Sequence, residues 1–311
     1  MIAKIAQFIR RTSSTLPEDA LGALKSAHRR EAKGSSAKMI LATILENAKV
    51  AAKAGTPLCQ DTGTLTFFVD ERLRRKATPE VFAKAVALAT ENGWLRRNTI
   101  DSISGASIDS NVCPGAPVVH YIPRSSAFAK ASTFAKASTF AKATVDKSVD
   151  KSVDESVDKP NYPTIRLLMK GGGSENMSAQ FSLPDAAIGA GRDLDGVRKA
   201  VLTAVQRAQG YGCSPGILGV CIGGDRASGY EEAKLQFLRN LADSSPDPRL
   251  ARLERRILKE ANSLGIGPMG LGGKTTLLAV KIGARPRLPA SFFVTVAYLC
   301  WAARRGELVI K

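Results

Sequence analysis

The side chains with the clearest capacity for chemistry are those of the five cysteines. Cys59 and Cys213 lie in runs rich in glycine, proline and small polar residues, where a thiolate can be both exposed and stabilised. Cys300 ends an apolar run instead. No Cys-x-x-Cys pair occurs, so the sequence contains no local zinc or ferredoxin motif. From residue types alone, scattered cysteines are more often packed in a core than bound to one cofactor, and both interpretations stay open.

Other residue types give weaker signals. The only histidines are His28 and His120, which leaves little for a histidine zinc site or a histidine-based triad. The run Gly272-Gly-Lys-Thr-Thr276 resembles the end of a phosphate-binding loop, but Pro268 stands where that motif needs its first glycine. The sequence therefore argues against an ATPase. The backbone N–H groups of such a loop could bind a carboxylate as readily as a phosphate.

Length and composition predict a folded chain with a sizeable core, since 44% of its 311 residues are hydrophobic. Lys and Arg number 45 against 28 Asp and Glu, and this net charge of +17 raises nucleic acid as a partner. Basic residues are scattered and aromatic residues make up only 6%, which disfavours that reading. An anionic small substrate or an acidic partner subunit fits equally well.

No apolar run is long enough to span a membrane, and the odd cysteine count predicts reduced thiols in the cytoplasm.

Hydrophobic periodicity and turn residues predict an α+β fold, with a mixed central β-sheet surrounded by helices. Helices are expected at about 15–54, 79–93, 194–208, 231–241 and 247–264. Strands are expected at 64–69, 118–122, 164–169, 217–222, 277–282 and 292–299.

Residues 125–160 are predicted to be a low-complexity insertion in a surface loop. Phe-Ala-Lys-Ala-Ser-Thr recurs from Phe128 to Lys142, and Lys-Ser-Val-Asp recurs from Lys147 to Val157. These periods are too short for a solenoid repeat. A tolerated insertion is favoured over a docking segment, because added length in a surface loop has a small entropic penalty.

Several motifs, in order along the chain, together resemble the alpha subunit of iron–sulfur (class I) fumarate hydratase or its relative L-tartrate dehydratase. The motifs are Pro57-Leu-Cys-Gln-Asp-Thr-Gly63, Lys170-Gly-Gly-Gly-Ser-Glu-Asn176, Gly212-Cys-Ser-Pro-Gly216 with Gly223-Gly-Asp225, Gly270-Leu-Gly-Gly-Lys-Thr-Thr276, and Pro289-Ala-Ser-Phe-Phe-Val294 leading to Cys300-Trp301. They cover nearly the whole chain outside the insertion. The resemblance implies one catalytic domain of this type over residues 1–311.

The resemblance implies a [4Fe–4S] cluster held by Cys59, Cys213 and Cys300. Three thiolate ligands would leave one iron open to substrate oxygen atoms, where it would act as a Lewis acid. Cys113 and Cys221 would then be structural. The implied reaction is the interconversion of (S)-malate with fumarate and water by a hydro-lyase, and L-tartrate dehydration is the alternative. A non-catalytic, basic nucleic-acid-binding protein is the alternative from another class.

The resemblance also implies which residues bind a small dicarboxylate substrate. Gln60 and Asp61 would point into the pocket beside the first cysteine, with Asp61 as the acid that protonates the departing hydroxyl. The competing interpretation is that Asp61 only forms a turn. Arg96 would bind a substrate carboxylate, with Arg97 as a close competitor.

The backbone of Gly171, Gly172 and Gly173 would donate further hydrogen bonds to the substrate.

Two departures from the family pattern accompany these assignments. Leu288 stands where many single-chain members have a histidine, and the sequence ends at Lys311, before the second domain of those members. The expectation is therefore a heteromer, α2β2, whose beta subunit completes the site and without which the chain is inactive.

Overall fold

The computed structural model describes residues 1–123 and 162–311, so the predicted insertion at 125–160 lies outside the described residues. The helices are α1 Ile2–Ser14, α2 Glu18–Arg30, α3 Ser36–Ala54, α4 Pro79–Glu91, α5 Gly172–Asn176, α6 Leu194–Ala208, α7 Arg226–Gln236 and α8 Pro248–Ser263. The strands are β1 Thr64–Asp70, β2 Thr99–Ile100, β3 Ser107–Ile108, β4 Val118–Ile122, β5 Thr164–Lys170, β6 Ala179–Ser182, β7 Gly216–Gly223, β8 Leu277–Arg285, β9 Phe293–Leu299 and β10 Arg305–Val309. The predicted α+β class is confirmed.

The longer strands divide between two mixed four-stranded sheets. The first sheet has the order β10-β5-β1-β4, in which β1 and β4 are parallel and β5 is antiparallel to both β1 and β10. The second has the order β6-β9-β7-β8, in which β7 and β8 are parallel and β9 is antiparallel to β6 and β7. Strands β2 and β3 form a small separate hairpin.

The helix predicted at 15–54 is two helices, α2 and α3, separated by a short break. Ser35 caps α3 by accepting a hydrogen bond from the Lys38 N–H at 3.2 Å. Glu31, the first residue after α2, is buried and its carboxylate accepts the Lys274 N–H. Helical periodicity continues on both sides of the break, so periodicity alone does not reveal it. The Ser35 cap and the contact of Glu31 with Lys274 mark where α2 ends and α3 begins.

Hydrophobic clusters fill the space on both faces of each sheet. Helices α1 and α4 cover one face of the first sheet through residues such as Phe8 and Phe82, and α6 and α8 cover one face of the second sheet. A third cluster joins the two sheets, because it contains Phe68 and Leu168 of the first and Leu299 of the second. The two sheets therefore pack as parts of one core.

The ends of several strands meet at the junction between the sheets. Strand β9 ends just before Cys300 and β10 begins just after Arg304, so this five-residue connection passes from one sheet to the other. Antiparallel pairing places Ile217 beside Leu299, so the segment preceding β7 lies at the same edge. In the first sheet, Thr64 pairs with Lys170, which brings the segments before β1 and after β5 together.

A buried ion pair anchors the start of β10 to α2. Arg305 is 0% exposed, and its Nη2 lies 2.5 Å from Oδ2 of Asp19. The same carboxylate oxygen accepts the Leu241 N–H at 2.8 Å. We expect Asp19→Ala to lower the free energy of unfolding by about 3–5 kcal/mol, since it removes the carboxylate that pairs with a buried guanidinium.

Urea denaturation measures this effect, with the exposed neighbour Glu18→Ala as the matched control. The control should change stability by less than about 0.5 kcal/mol. Similar losses of stability in the two variants would contradict a special role for the buried pair.

Candidate active site

The structure brings together the three cysteines expected to hold a cluster. The thiols of Cys59, Cys213 and Cys300 lie close enough for their charges to act on one another. The Trp301 N–H donates to the Cys213 carbonyl at 3.2 Å, which ties the second and third cysteine segments together. Each of the three residues lies just outside a strand, before β1, before β7 and after β9. Pairing of β7 with β9 closes the 87 residues between Cys213 and Cys300, and the packing of the two sheets closes the 154 residues between Cys59 and Cys213.

Burial of the Cys300 thiol is opposed by a nearby cation. Burial raises the pKa of the Cys300 thiol to about 11, and the Arg304 guanidinium partly opposes that rise. Burial also raises the pKa of Cys213, with the charges of Cys59 and Asp61 adding to the rise. A coordinated thiol is deprotonated outright, so bound metal would hold these sulfurs as thiolates.

The loop that carries Cys59 is fixed by backbone contacts to two helices. The Leu58 N–H donates to the Ser13 carbonyl at 2.9 Å, and the Leu58 carbonyl accepts from Nδ2 of Asn47 at 3.0 Å. The Asp61 N–H points to Sγ of Cys59 at 3.4 Å. The first cysteine and the aspartate that follows it are therefore held as one turn.

Both carboxylate oxygens of Asp61 accept hydrogen bonds. Oδ1 accepts the Gly63 N–H at 2.8 Å and Nδ2 of Asn98 at 3.2 Å, while Oδ2 accepts the Gly172 N–H at 2.7 Å. The bond to Gly63 is the turn-forming contact that sequence reasoning allowed as the competing interpretation. The bonds to Asn98 and Gly172 come from distant segments, so Asp61 also joins three loops at the site.

Glycines on both sides allow this close approach. A Cβ at Gly171 would stand 2.7 Å from Oδ2 of Asp61, and a Cβ at Gly63 would stand 2.5 Å from the Lys170 carbonyl oxygen. Gly63 also has a φ of 73°, in the left-handed region that favours glycine. The space where a Gly173 Cβ would stand is open. The N–H of Gly172 is used by Asp61, so the N–H groups of Gly171 and Gly173 are the remaining candidate donors.

Arg96 and Arg97 lie on the loop that faces Asp61, and both side chains are exposed. The backbone of Arg96 is held from both sides, because Oγ1 of Thr62 accepts its N–H at 2.9 Å and donates to its carbonyl at 2.7 Å. The buried Asn111 donates to the same carbonyl at 2.8 Å. Gln60 is also exposed beside Asp61. Thr62 and Asn111 position this loop, and the sequence analysis did not single them out.

A cation absent from the sequence predictions is buried behind Asp61. Arg304 is 1% exposed, and its Nη1 donates to the Asp61 carbonyl at 2.6 Å. Its Nε has no hydrogen-bond partner among the described residues. The two consecutive arginines after the third cysteine were visible in the sequence, but nothing there distinguished a buried guanidinium from a surface one.

The hydroxyl of Tyr298 is also buried without a hydrogen-bond partner among residues 1–123 and 162–311, and it lies near Cys213 and Cys300. Its ring occupies space left by Gly212 and Gly216, whose Cβ atoms would stand within 2.5 Å of ring or hydroxyl atoms. These donors and the three thiols fit a sulfur-rich anionic group such as an iron–sulfur cluster. Within residues 1–123 and 162–311, no three His, Cys, Asp or Glu side chains are grouped to hold a single metal ion.

Lys170 lies next to the glycine run and is also buried. It pairs with Glu175, which also lies 3.1 Å from Nζ of Lys234, and its Nζ donates to Oγ of Ser178 at 3.2 Å. Burial lowers the pKa of Lys170 to about 8, against the opposing charge of Glu175. This ion pair anchors the start of the glycine run to the helix that follows it.

The glycine-rich loop before β8 binds a carboxylate from within the chain. The Lys274 N–H is 3.0 Å from both carboxylate oxygens of Glu31, and the Gly272 N–H donates to the Ile266 carbonyl. Gly210, in the loop before Cys213, packs against Met269 of this segment. The loop thus supports the second cysteine.

Leu288 lies away from the cysteines. It precedes β9, whose first residues pair with the end of β7, so it lies at the opposite end of this strand pair from Cys300. Its side chain is 75% exposed.

Cys221 is buried within β7, and burial raises the pKa of its thiol to about 12.

Two surface arginines pair with carboxylates close to them in the chain. Arg72 pairs with Asp70 at 2.6 Å, and Arg74 pairs with Glu71 at the same distance. No helix in the described part of the chain has the length and apolar character needed to cross a bilayer.

Comparison with known proteins gives a family match over most of the chain. The family model described as Fumarate hydratase (Fumerase) matches residues 2–138 and 152–309. A Geobacillus stearothermophilus protein, provisionally named as a class I fumarate hydratase, is 44% identical over 304 residues, which cover 96% of this chain and 52% of that protein. The chain therefore spans about half the length of that relative.

Two other relatives match over nearly their whole length. A Methanocaldococcus jannaschii protein, provisionally named as the alpha subunit of L(+)-tartrate dehydratase, is 30% identical over 99% of this chain and 96% of its own length. The L(+)-tartrate dehydratase alpha subunit of Escherichia coli K12 is 28% identical over 98% of this chain and 89% of its own length.

Proposed function

The chain belongs to the fumarate hydratase (Fumerase) family, and on that premise we propose that it is the alpha chain of an iron–sulfur hydro-lyase interconverting (S)-malate with fumarate and water. The observation that carries this proposal is the meeting of three cysteines with the Asp61 carboxylate where the two sheets join. A small dicarboxylate could reach both groups at once, because Asp61 and Cys59 belong to one turn.

Cys59, Cys213 and Cys300 are the proposed cluster ligands. A [4Fe–4S] cluster on these three thiolates would supply a Lewis-acidic iron with an open position for substrate oxygen atoms. The buried guanidinium of Arg304 supports this assignment, since its positive charge favours thiolate at Cys300. The chain thus offers both the thiols and a cation that would balance them.

Asp61 is the proposed proton-transfer residue. Its carboxylate is fixed by N–H donors from three segments, and an oriented carboxylate can exchange a proton with substrate at a set position. In the dehydration direction Asp61 would give a proton to the departing hydroxyl, and in hydration it would take a proton from the attacking water. The Arg304 contact to the Asp61 carbonyl would keep the turn in place through both steps.

Arg96 is the proposed ligand of a substrate carboxylate. Its backbone is held by Thr62 and Asn111, whereas the residue is exposed and its guanidinium is open to a ligand. A guanidinium can bind a carboxylate through two parallel hydrogen bonds. Gln60 and the N–H groups of Gly171 and Gly173 would contact the remaining polar atoms, while Gly172 acts on the substrate only through Asp61.

L-tartrate is the second candidate substrate. Malate and fumarate are favoured by the 44% identity to the Geobacillus protein, whereas the relatives whose length this chain matches are named for L(+)-tartrate. (S)-Malate and L-tartrate differ by one hydroxyl, so the same carboxylate contacts and the same proton transfer would serve either substrate.

A beta subunit is the proposed partner, in an α2β2 assembly. The relatives of matching length are named as alpha subunits, and the side chains proposed to bind substrate, Gln60 and Arg96, are exposed as an unfinished pocket would leave them.

The cytoplasm is the proposed location, because the five cysteines are free thiols and a reducing compartment keeps them so.

The cluster assignment is tested by a Cys59→Ser, Cys213→Ser, Cys300→Ser triple variant. After anaerobic reconstitution, we expect about four iron and four sulfide per parent chain and none in the variant, because serine does not replace the thiolates. Iron and sulfide analysis with the visible spectrum measures this. Cys113→Ser, which removes a thiol outside the group, should load like the parent, and equal iron in parent and triple variant would refute the assignment.

The role of Asp61 is tested by Asp61→Asn, assayed in the loaded complex with the partner subunit. We expect kcat to fall by about 10²–10⁴-fold, since the amide keeps the shape but cannot carry the transferred proton. Iron content should stay at the parent value. The exposed Asp109→Asn is the control and should keep its activity, and a loss of less than about tenfold in Asp61→Asn would rule out proton transfer by this residue.

The partner and the substrate are tested together. The reconstituted chain alone should turn over neither (S)-malate nor L-tartrate, and co-purified beta subunit should restore turnover, because the pocket needs residues from both chains. A higher kcat/KM for (S)-malate than for L-tartrate is expected. Equal rates with and without the partner would contradict the heteromer, and a preference for L-tartrate would select the second substrate.

A further inference from the structure

The hydroxyl of Tyr298 is a buried polar group that the proposed reaction leaves unused. Tyr298 is 2% exposed, and its Oη has no hydrogen-bond partner among the described residues. Buried hydroxyls nearly always have a partner, so an orphaned one calls for an explanation. Packing does not provide it, because Gly212 and Gly216 leave space for the ring and the hydroxyl but accept no hydrogen bond from that hydroxyl.

The place of this hydroxyl points to sulfur as its acceptor. Tyr298 lies in β9, two residues before Cys300, and its ring and hydroxyl lie against Gly212 and Gly216, on either side of Cys213 in the chain. The charges of Cys300 and Cys213 both act on the Tyr298 hydroxyl. The Tyr298 N–H is held by Oγ of Ser178 at 3.2 Å, which fixes the backbone from which the ring projects.

We propose that the Tyr298 hydroxyl donates a hydrogen bond to a sulfur atom of the cysteine-held cluster and thereby raises the reduction potential of that cluster. The inference rests on the proposed iron–sulfur function. A hydrogen bond to sulfur stabilises the more negative, reduced state, and such bonds are among the features that set cluster potentials. Tyr298 is thus a positioning and tuning residue that contacts no substrate.

The test compares Tyr298→Phe with the parent full-length chain after anaerobic reconstitution. Redox titration followed by electron paramagnetic resonance gives the midpoint potential of the cluster, independently of activity. We expect Tyr298→Phe to load the same iron and sulfide and to have a more negative midpoint potential. Tyr211→Phe is the matched control, because Tyr211 is exposed two residues before Cys213, and its potential should equal the parent value.

A loaded Tyr298→Phe variant with the parent potential would overturn the inference while leaving the cluster proposal intact. If that variant loses its cluster, 3-fluorotyrosine at position 298 replaces it, since this side chain is nearly isosteric and a stronger donor. The midpoint potential should then become more positive, and an unchanged potential would again overturn the inference. A parent chain that binds no iron or sulfide would overturn the cluster proposal and this inference together.

Discussion

The connection from Cys300 to Arg304 is the constraint on which the rest of the site depends. It leaves the second sheet at the end of β9 and enters the first sheet at the start of β10, so it must lie where the two sheets meet. Trp301 binds the Cys213 segment and Arg304 binds the Asp61 carbonyl, so one short segment connects all three cysteine loops. The buried pair of Arg305 with Asp19 fixes the far side of this connection.

Most of the polar groups buried at the junction of the two sheets have hydrogen-bond or ion-pair partners that offset the cost of burial. The Asp61 carboxylate accepts three N–H donors, Lys170 pairs with Glu175, and Arg305 pairs with Asp19. In the part of the chain that the structure describes, Tyr298 Oη and Arg304 Nε lack such partners, and both residues lie near Cys300. Unsatisfied donors in a low-dielectric interior favour a negatively charged group beside them, which is the charge of a thiolate-bound iron–sulfur cluster.

Much of the fold could be predicted from periodicity and turn residues. The strand at 118–122 and the helix at 194–208 have the predicted bounds, because a local apolar pattern defines each of them. The break between α2 and α3 was missed because the apolar periodicity continues on both sides of it. The Ser35 cap at the break is local, whereas the contact of Glu31 with Lys274 comes from far away in the chain. Strand β10 was missed because Arg305, its first residue, looks like a surface residue until Asp19 is placed beside it.

The sequence by itself determined the chemical inventory: three cysteines in distinctive runs, an aspartate beside the first, and a glycine run able to let that aspartate approach closely. Its motifs also identified the family, because motif order and spacing are properties of the chain alone. Only the tertiary structure decided which polar groups are buried beside the cysteines, namely Arg304, Tyr298 and Lys170. Burial and electrostatic contact depend on strand pairing within each sheet and on the packing of the two sheets, across 154 and 87 residues between successive cysteines. No local pattern encodes such long-range contacts.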